Sequence, residues 1–127
     1  MADRRRAERC GRWAETVAAV SLQTKGYTIL DRRVRTKAGE VDLIARRSNV
    51  TAFVEVKLRA SIDAALHAVN AASKRRIERA AELWMARRPD LAEGGWRYDI
   101  IVVRPWRLPV HVRQAWRPDF APPYRYP

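Results

Sequence analysis

Apolar residues recur at helical spacing near the start of the chain. They are Cys10, Trp13 or Ala14, Val17 and Val20. Because residues three and four apart share one face of a helix, this pattern predicts an amphipathic helix over residues 7–24. Gly26 follows at the place where a helix commonly ends in a left-handed residue.

Apolar runs bounded by turn residues predict strands in two parts of the chain. They cover residues 27–35, 40–47, 50–57 and 96–103, with one more short strand after residue 104. Ser61 and Ser73 are predicted N-caps of two helices that end near residues 70 and 87. The resulting order indicates an α/β or α+β domain, in which a mixed sheet has helices packed on its faces.

The length of 127 residues and the apolar fraction of 47% are typical of one globular domain. We expect an ordered core over residues 8–117 and a flexible tail over residues 118–127. No apolar run reaches the roughly 20 residues of a membrane span, and the basic N terminus lacks the apolar segment of a secretory signal. The single cysteine, Cys10, excludes an internal disulfide. The sequence therefore predicts a cytoplasmic protein without a membrane partner.

Positive charge is the strongest global feature of the sequence. Twenty-six Lys and Arg residues against fourteen Asp and Glu residues give a net charge of +12. A domain this basic commonly binds a polyanion, most often nucleic acid. Arginine far outnumbers lysine, so a general preference for arginine with a merely solvated surface remains an alternative. Charge favours a nucleic-acid partner without defining any chemistry.

The stretch GEVDLIARRSNVTAFVEVKLR, residues 39–59, has the pattern of a buried hairpin with charges set into it. A polar turn at residues 48–49 would pair residue 47 with residue 50. Continuing that register places Asp42 opposite Glu55 and Glu40 opposite Lys57. It also places one set of apolar side chains on a shared face, namely Val41, Leu43 and Ala45.

Two carboxylates that face each other across a strand pair destabilise a sheet. A divalent cation removes that penalty, and Mg²⁺ and Mn²⁺ prefer oxygen ligands. The register therefore predicts a metal site at Asp42 and Glu55, with Lys57 placed to hold a phosphate oxygen or a water molecule. The alternative is a solvated sheet face on which Glu40 and Lys57 form a weak ion pair.

Two further acids are candidates for the same chemistry. Glu15 lies on the first helix, one turn after Gly11, where the missing side chain leaves the backbone open to a phosphate; a solvated glutamate is the alternative. Asp99 could be a ligand, but Arg97 offers it an ion pair, which is the interpretation we favour. His111 is isolated and fits an edge strand or an interface.

The segments GEVDLIA (residues 39–45) and FVEVKLR (residues 53–59) resemble the YraN family of small bacterial proteins. The resemblance covers about residues 8–117, from the opening helix and turn to the closing segment VHVRQAW. That family is similar to the restriction-endonuclease-like superfamily, near the archaeal Holliday-junction resolvases. The resemblance implies a restriction-endonuclease-like fold, with a mixed central β-sheet flanked by α-helices and a PD-(D/E)xK active site.

The resemblance also implies roles for particular residues. The catalytic set would be Glu15, Asp42, Glu55 and Lys57. The three acids would hold Mg²⁺ or Mn²⁺, with Lys57 as the catalytic lysine. Glu40, which the register places opposite Lys57, is an accessory acid, either a partner of that lysine or an extra ligand. Candidates to bind the nucleic-acid backbone are Arg59, Lys74, Arg75 and Arg76. The expected activity is that of a metal-dependent endonuclease hydrolysing phosphodiester bonds in DNA, with branched DNA as one candidate substrate.

Two other interpretations stay open. A non-catalytic nucleic-acid-binding module acting in DNA processing could keep the same fold and basic surface. A structural protein whose arginines reflect genome composition would show little salt dependence in DNA binding. Trp106 and Trp116 could stack on bases, but we favour packing for both. Junction resolvases dimerise, so a homodimer is also a candidate state.

Overall fold

The structure is a computed structural model that describes residues 2–118, with side chains from residue 4. The predicted tail lies outside the described residues from position 119 onward. The helices are α1 (Ala2–Thr24), α2 (Ile62–Ala68) and α3 (Ala71–Ala86), and a 3₁₀ helix spans Pro89–Gly94. The strands are β1 (Thr28–Arg35), β2 (Glu40–Arg47), β3 (Val50–Leu58), β4 (Trp96–Val103) and β5 (Val110–Trp116).

Five strands form one mixed sheet in the order β1-β2-β3-β4-β5. Among the strands within residues 2–118, only β3 and β4 run parallel, and α2 and α3 form the crossover that a parallel pair requires. One core lies between the sheet and α1, and the other lies between the sheet and the α2–α3 pair. This arrangement confirms the α/β class with helices on both faces of a mixed sheet.

No helix within residues 2–118 combines the length and apolar character needed to cross a membrane.

Helix α1 ends as the sequence predicts but buries a partly different face. Gly26 has φ +90°, and the following N–H, of Tyr27, donates to the Leu22 carbonyl at 3.0 Å. This is the hydrogen bond of a Schellman cap. The buried face consists of Ala14, Ala18, Ala19 and Leu22. The predicted face was right at Ala14 and Val17, which pack on the core, and wrong at Cys10 and Val20, which are exposed. Of the two alternatives at positions 13 and 14, the small alanine faces the sheet and Trp13 is about half exposed. Alanines let a helix approach a sheet more closely than bulky residues do.

The two predicted N-caps have different outcomes. Ser61 is confirmed, because its hydroxyl accepts a hydrogen bond from the Ala64 N–H at 3.1 Å. The prediction for Ser73 was wrong, since the side chain of Asn70 caps α3 and accepts from the Ser73 N–H at 2.9 Å. Asparagine is as good an N-cap as serine, and here it stands three residues earlier.

The β2–β3 hairpin confirms the predicted turn and the first part of its register. Ser48 and Asn49 have φ values of 51° and 67°, as in a two-residue type I′ turn. Arg47 pairs with Val50, and the ladder continues regularly as far as Leu43 and Val54. It ends there, so the predicted direct pairing of residue 42 with 55, and of 40 with 57, was wrong.

Where the ladder ends, the apolar side chains of β2 also change from one side of the sheet to the other. Leu43 and Ala45 pack on the α1 side, as alternation predicts. Val41 packs on the opposite side, together with Ile44. The predicted common face for residues 41, 43 and 45 was therefore wrong, because alternation breaks at Asp42, where β2 leaves β3.

Gly39 contacts the backbone of α3 so closely that no side chain fits there. A Cβ at this position would lie 1.8 Å from the carbonyl oxygen of Arg76. We expect Gly39→Ala to lower the free energy of unfolding by about 1–3 kcal/mol, the usual range for overpacking. Urea denaturation followed by circular dichroism measures this change.

Gly11 provides the matched control for that substitution. It lies inside α1, and a Cβ there would meet nothing within 4 Å. Gly11→Ala should raise stability by about 0.5–1 kcal/mol, because alanine favours the helix. Equal stability of Gly39→Ala and the wild type would contradict the close packing of residue 39 on α3.

Candidate active site

A cleft of about 490 Å³ opens at the place where β2 separates from β3. Its walls come from α1, β2, β3 and α3. All four predicted catalytic residues and the accessory acid line it, namely Glu15, Glu40, Asp42, Glu55 and Lys57. The structure therefore brings together residues from three elements that are up to 42 positions apart in the sequence.

The break in the ladder places the carboxyl group of Asp42. Beyond residue 54, β3 lacks its β2 partner, and the Asp42 Oδ2 atom accepts a hydrogen bond from the Val56 N–H at 2.8 Å. The side chain thus replaces a strand partner for a backbone donor that must be satisfied. As a result, one Asp42 oxygen is fixed beside β3, next to Glu55.

Asp42 and Glu55 form a hydrogen-bonded pair of acids. Burial in the cleft and the hydrogen bond to Asp42 raise the pKa of Glu55 to about 9, and the positive charge of Lys57 opposes this rise only in part. Two ionised carboxylates at this separation would repel each other, so in the absence of a cation the pair retains a proton. The predicted proximity of these two acids is present, although it is made by side chains and not by a strand pair.

Lys57 stands two residues after Glu55 and on the same side of β3. It lines the cleft and forms no ion pair with another described residue. Its ammonium is close enough to lower the pKa of Glu55. The lysine can therefore hold a negatively charged group that enters the cleft.

Glu15 lines the same cleft but is held by a partner that the sequence did not indicate. Its carboxylate lies 2.5 Å from the Nε atom of Arg33 in β1, and it is only 13% exposed. Arg33 adopts a left-handed backbone with φ 50°, which is unusual for arginine. No spacing rule connects α1 to this residue, because the contact depends on how helix and strand pack.

In the described part of the chain, no third acidic side chain joins Asp42 and Glu55 in a common metal site. Within residues 4–118, no three His, Cys, Asp or Glu side chains are placed to share one metal ion. Asp42 and Glu55 are thus a pair, with Glu15 in the same cleft and directed toward Arg33.

Glu40 pairs with arginines and not with the lysine expected from the register. Its carboxylate lies 3.6 Å from Arg35 and 3.7 Å from Arg76. The alternative interpretation, in which Glu40 forms a weak ion pair with Lys57, was wrong, because the ladder ends before Glu40 reaches β3. Both Glu40–arginine pairs are substantially exposed, so each contributes little to stability.

The four predicted backbone-binding residues divide into two groups. Arg59 and Arg76 line the cleft. Lys74 and Arg75 do not, and the Lys74 ammonium lies 5.8 Å from the centre of the Trp116 ring. The positive charges at the cleft are therefore those of Lys57, Arg59 and Arg76.

A second charged cluster lies in the core, away from the cleft. Asp99 accepts hydrogen bonds from Arg97 at 3.0 Å, from the His111 ring at 2.8 Å and from the Gln114 N–H at 2.9 Å. Arg97 also donates to the hydroxyl of Tyr27. The structure confirms the interpretation of Asp99 as an ion-pair partner of Arg97, and of His111 as a residue of an edge strand.

Opposing effects act on the ionisation of Asp99. Burial alone raises its pKa, but the hydrogen bonds from His111 and Arg97 outweigh burial and hold the pKa below the ordinary aspartate value of 3.8. Asp99 is fully buried, so its negative charge is maintained by these partners. The cluster ties β4 to β5 and to Tyr27, in the segment between α1 and β1.

Together, fold and cleft define an α/β protein with an acid pair and a lysine at the open end of its central hairpin. The chain belongs to the family described as "Uncharacterised protein family UPF0102", whose model matches residues 14–103. This confirms the resemblance to the YraN family. The matched span contains all four predicted catalytic residues.

Several curated relatives are similar along most of the chain. UPF0102 protein amb4503 of Paramagnetospirillum magneticum is 50% identical over 117 residues, covering 89% of this chain and 91% of that protein. UPF0102 protein mlr4633 of Mesorhizobium japonicum is 49% identical over 114 residues, covering 90% and 91%. UPF0102 protein Mmar10_3014 of Maricaulis maris is 49% identical over 115 residues, covering 91% of each. Family membership itself does not define a reaction.

Proposed function

We propose that this protein is a metal-dependent endonuclease with a restriction-endonuclease-like fold that hydrolyses phosphodiester bonds in DNA. The observation that carries the proposal is the placement of Asp42, Glu55 and Lys57 in one cleft, with Arg59 and Arg76 on its walls. Acids, a lysine and arginines in a single cleft suit a phosphodiester, because they offer oxygen ligands for a cation and positive charge for phosphate oxygens.

The acid pair fits a divalent cation. Mg²⁺ is commonly bound by one or two carboxylates together with substrate phosphates and water. Asp42 and Glu55 supply two carboxylates, and Glu15 is the nearby acid proposed to complete the set. Mg²⁺ or Mn²⁺ held there would act as a Lewis acid on the phosphate and lower the pKa of a bound water.

The protein's own residues would position and stabilise the reacting groups. The Val56 N–H holds Asp42 in place before substrate arrives, which is the preorganisation a binding site needs. Lys57 would hold a non-bridging phosphate oxygen and stabilise the negative charge of the pentacovalent transition state. Glu40, which pairs with Arg76, would keep that arginine at the cleft.

Binding to the DNA backbone would rest on electrostatics. The chain carries a net charge of +12, and Arg59 and Arg76 lie at the cleft. Gly11 leaves open space on the α1 wall, so a phosphate can approach the helix backbone. Contacts of this kind position a nucleic acid without reading its sequence.

A second candidate function is a non-catalytic nucleic-acid-binding module. The observation that favours it is the ion pair of Glu15 with Arg33, which directs one predicted metal ligand toward a positive charge. Such a module would bind DNA with strong salt dependence and would leave it intact in every metal.

Cleavage assays on supercoiled, single-stranded and branched DNA, with and without Mg²⁺ or Mn²⁺, test the proposal. The wild type should cleave only with metal, and Asp42→Asn should lower the rate by about 100-fold or more, because a metal ligand and a fixed oxygen are lost. Asp90→Asn alters an exposed aspartate outside the cleft and serves as the control.

The same assay separates the alternatives. Equal cleavage by the wild type and Asp42→Asn would indicate a contaminant and rule out the nuclease proposal. Binding without cleavage in all metals would instead support the binding module.

A further inference from the structure

The loop that joins β4 to β5 exposes two large apolar side chains. It has the sequence RPWRLP over residues 104–109. Trp106 is 102% exposed and Leu108 is 85% exposed. The expectation that Trp116 packs is confirmed, since its ring stacks on Tyr98 at 5.2 Å, whereas the same expectation for Trp106 was wrong.

The backbone conformation of this loop gives no structural reason for a tryptophan at position 106. The Arg107 N–H donates to the Arg104 carbonyl at 3.3 Å, which closes a four-residue turn with Pro105 in its second position. Trp106 has φ 61° in the third position, where a turn of this type favours glycine. Tryptophan therefore occupies a position that costs conformational energy and gains no burial. An exposed residue in a strained conformation points to a role outside the fold.

The loop leaves the sheet beside the cleft. β3 and β4 run parallel, and Leu58 pairs with Val103 at their carboxyl ends. The Arg59 N–H also donates to the Val103 carbonyl at 3.2 Å. Adjacent strands are about 4.8 Å apart, so the loop begins one strand spacing from the cleft wall at residues 57–59.

The charges around Trp106 match a nucleic acid. Arg104 and Arg107 lie on either side of the ring in sequence, and Arg59 extends the positive surface to the cleft. Aromatic rings stack on unpaired bases, while arginines bind the adjoining phosphates. The stacked bases of an intact duplex do not offer their faces to such a ring.

We infer that residues 104–109 bind an unpaired base, with Trp106 stacked on it, beside the cleft that holds Lys57. The preferred ligand is thus nucleic acid with a single-stranded segment next to a duplex. The inference rests on the proposed function, because it takes the DNA strand that continues from the bound base to lie in the cleft with Lys57. Tryptophan, leucine and arginine also occur at membrane surfaces, but the loop adjoins a cleft lined by acids and a lysine, which a lipid surface would not fill.

Equilibrium binding in EDTA tests the inference without any cleavage. The probes are a blunt duplex and the same duplex with a single-stranded tail, which carries 2-aminopurine at its first unpaired position. The wild type should bind the tailed DNA more tightly and quench the 2-aminopurine fluorescence. Trp106→Ala should lose the quenching and bind the tailed DNA about 5- to 150-fold more weakly, as expected for loss of one stacked base. Its affinity for blunt duplex should stay unchanged.

Two further variants make the result specific. Trp106→Phe should keep most of the affinity for the tail, because phenylalanine still stacks. Trp13→Ala removes a half-exposed tryptophan of α1 that does not line the cleft and should change neither affinity. Thermal unfolding of Trp106→Ala should match the wild type, since the side chain is unburied.

The outcomes distinguish this inference from the proposed function. Unchanged binding of tailed DNA by Trp106→Ala, or equal loss for blunt and tailed DNA, would overturn the role of the loop. A protein that never cleaves DNA but still needs Trp106 for the tail would contradict the nuclease proposal alone. Binding to phosphatidylglycerol vesicles that depends on Trp106, with DNA binding unaffected, would assign the loop to a membrane surface and overturn the inference.

Discussion

Lys57→Ala is expected to reduce metal-dependent DNA cleavage by about 10²–10³-fold while leaving Mn²⁺ binding intact. The lysine lines the cleft beside the acid pair and forms no ion pair with another described residue, so its charge is available to a phosphate. Removing a positive charge near Glu55 cannot weaken the attraction of a cation for the carboxylates. Loss of Lys57 should therefore affect chemistry and not metal binding.

Single-turnover cleavage and Mn²⁺ titration by electron paramagnetic resonance measure the two effects separately. Lys25→Ala is the matched control, because Lys25 is exposed just after α1 and does not line the cleft. Wild-type cleavage by Lys57→Ala would refute the role of the lysine. Loss of Mn²⁺ binding in Lys57→Ala would show that the lysine supports the cleft structurally.

The sequence predicts those parts of the fold that depend on neighbouring residues. The Ser48-Asn49 turn, the cap at Ser61 and the helix end at Gly26 are each determined by the preferences of one or two residues. The order of elements also predicts a mixed sheet with helices on its faces, whereas the strand order comes from the structure.

The errors in the predicted fold arise where tertiary packing overrides the periodic pattern of apolar residues along a strand or a helix. Strict alternation along β2 predicts one apolar face, but Asp42 bonds to the backbone of β3 and turns Val41 to the other side. Along α1, a helical period fits both the exposed face with Trp13 and the buried face with Ala18. The sequence alone does not show which of two helix faces with similar apolar spacing is buried, because it does not show where the sheet lies against the helix.

The candidate site likewise has residues that the sequence predicts and residues that depend on tertiary packing. Asp42, Glu55 and Lys57 lie on consecutive strands, so the hairpin was enough to predict that they lie near one another, although the predicted direct pair of residues 42 and 55 was wrong. The residues alone made Glu15 only one of two candidate acids, and the family resemblance placed it in the site, because α1 joins the cleft by long-range packing. Its partner Arg33 left no signal in the sequence, since the contact depends on an unusual backbone conformation in β1.

Asp99→Asn should cause the largest loss of stability of any single substitution considered for this chain. The side chain is fully buried, and Arg97, which it holds at 3.0 Å, is 7% exposed. Removing the negative charge leaves the guanidinium buried without a counter-ion, which typically costs about 3–5 kcal/mol. Urea denaturation at neutral pH measures the loss.

Asp90 offers a control with the same sequence spacing and a similar ion pair. It is bonded to Arg88, two residues earlier, at 3.1 Å, but both side chains are exposed. Asp90→Asn should therefore leave stability almost unchanged, since water screens the pair. Similar losses in the two variants would mean that burial of the Arg97–Asp99 pair does not determine its contribution.

The contribution of Asp99 should also depend on pH in a defined direction. Its partners Arg97 and His111 hold its folded-state pKa below 3.8, so folding favours the ionised carboxylate. That stabilisation is fully present above the unfolded pKa and is lost as pH falls through the lower, folded pKa. The stability difference between wild type and Asp99→Asn should thus shrink as pH falls below about pH 4. A difference that did not shrink below about pH 4 would mean that folding does not favour the ionised carboxylate of Asp99, and that His111 and Arg97 do not outweigh its burial.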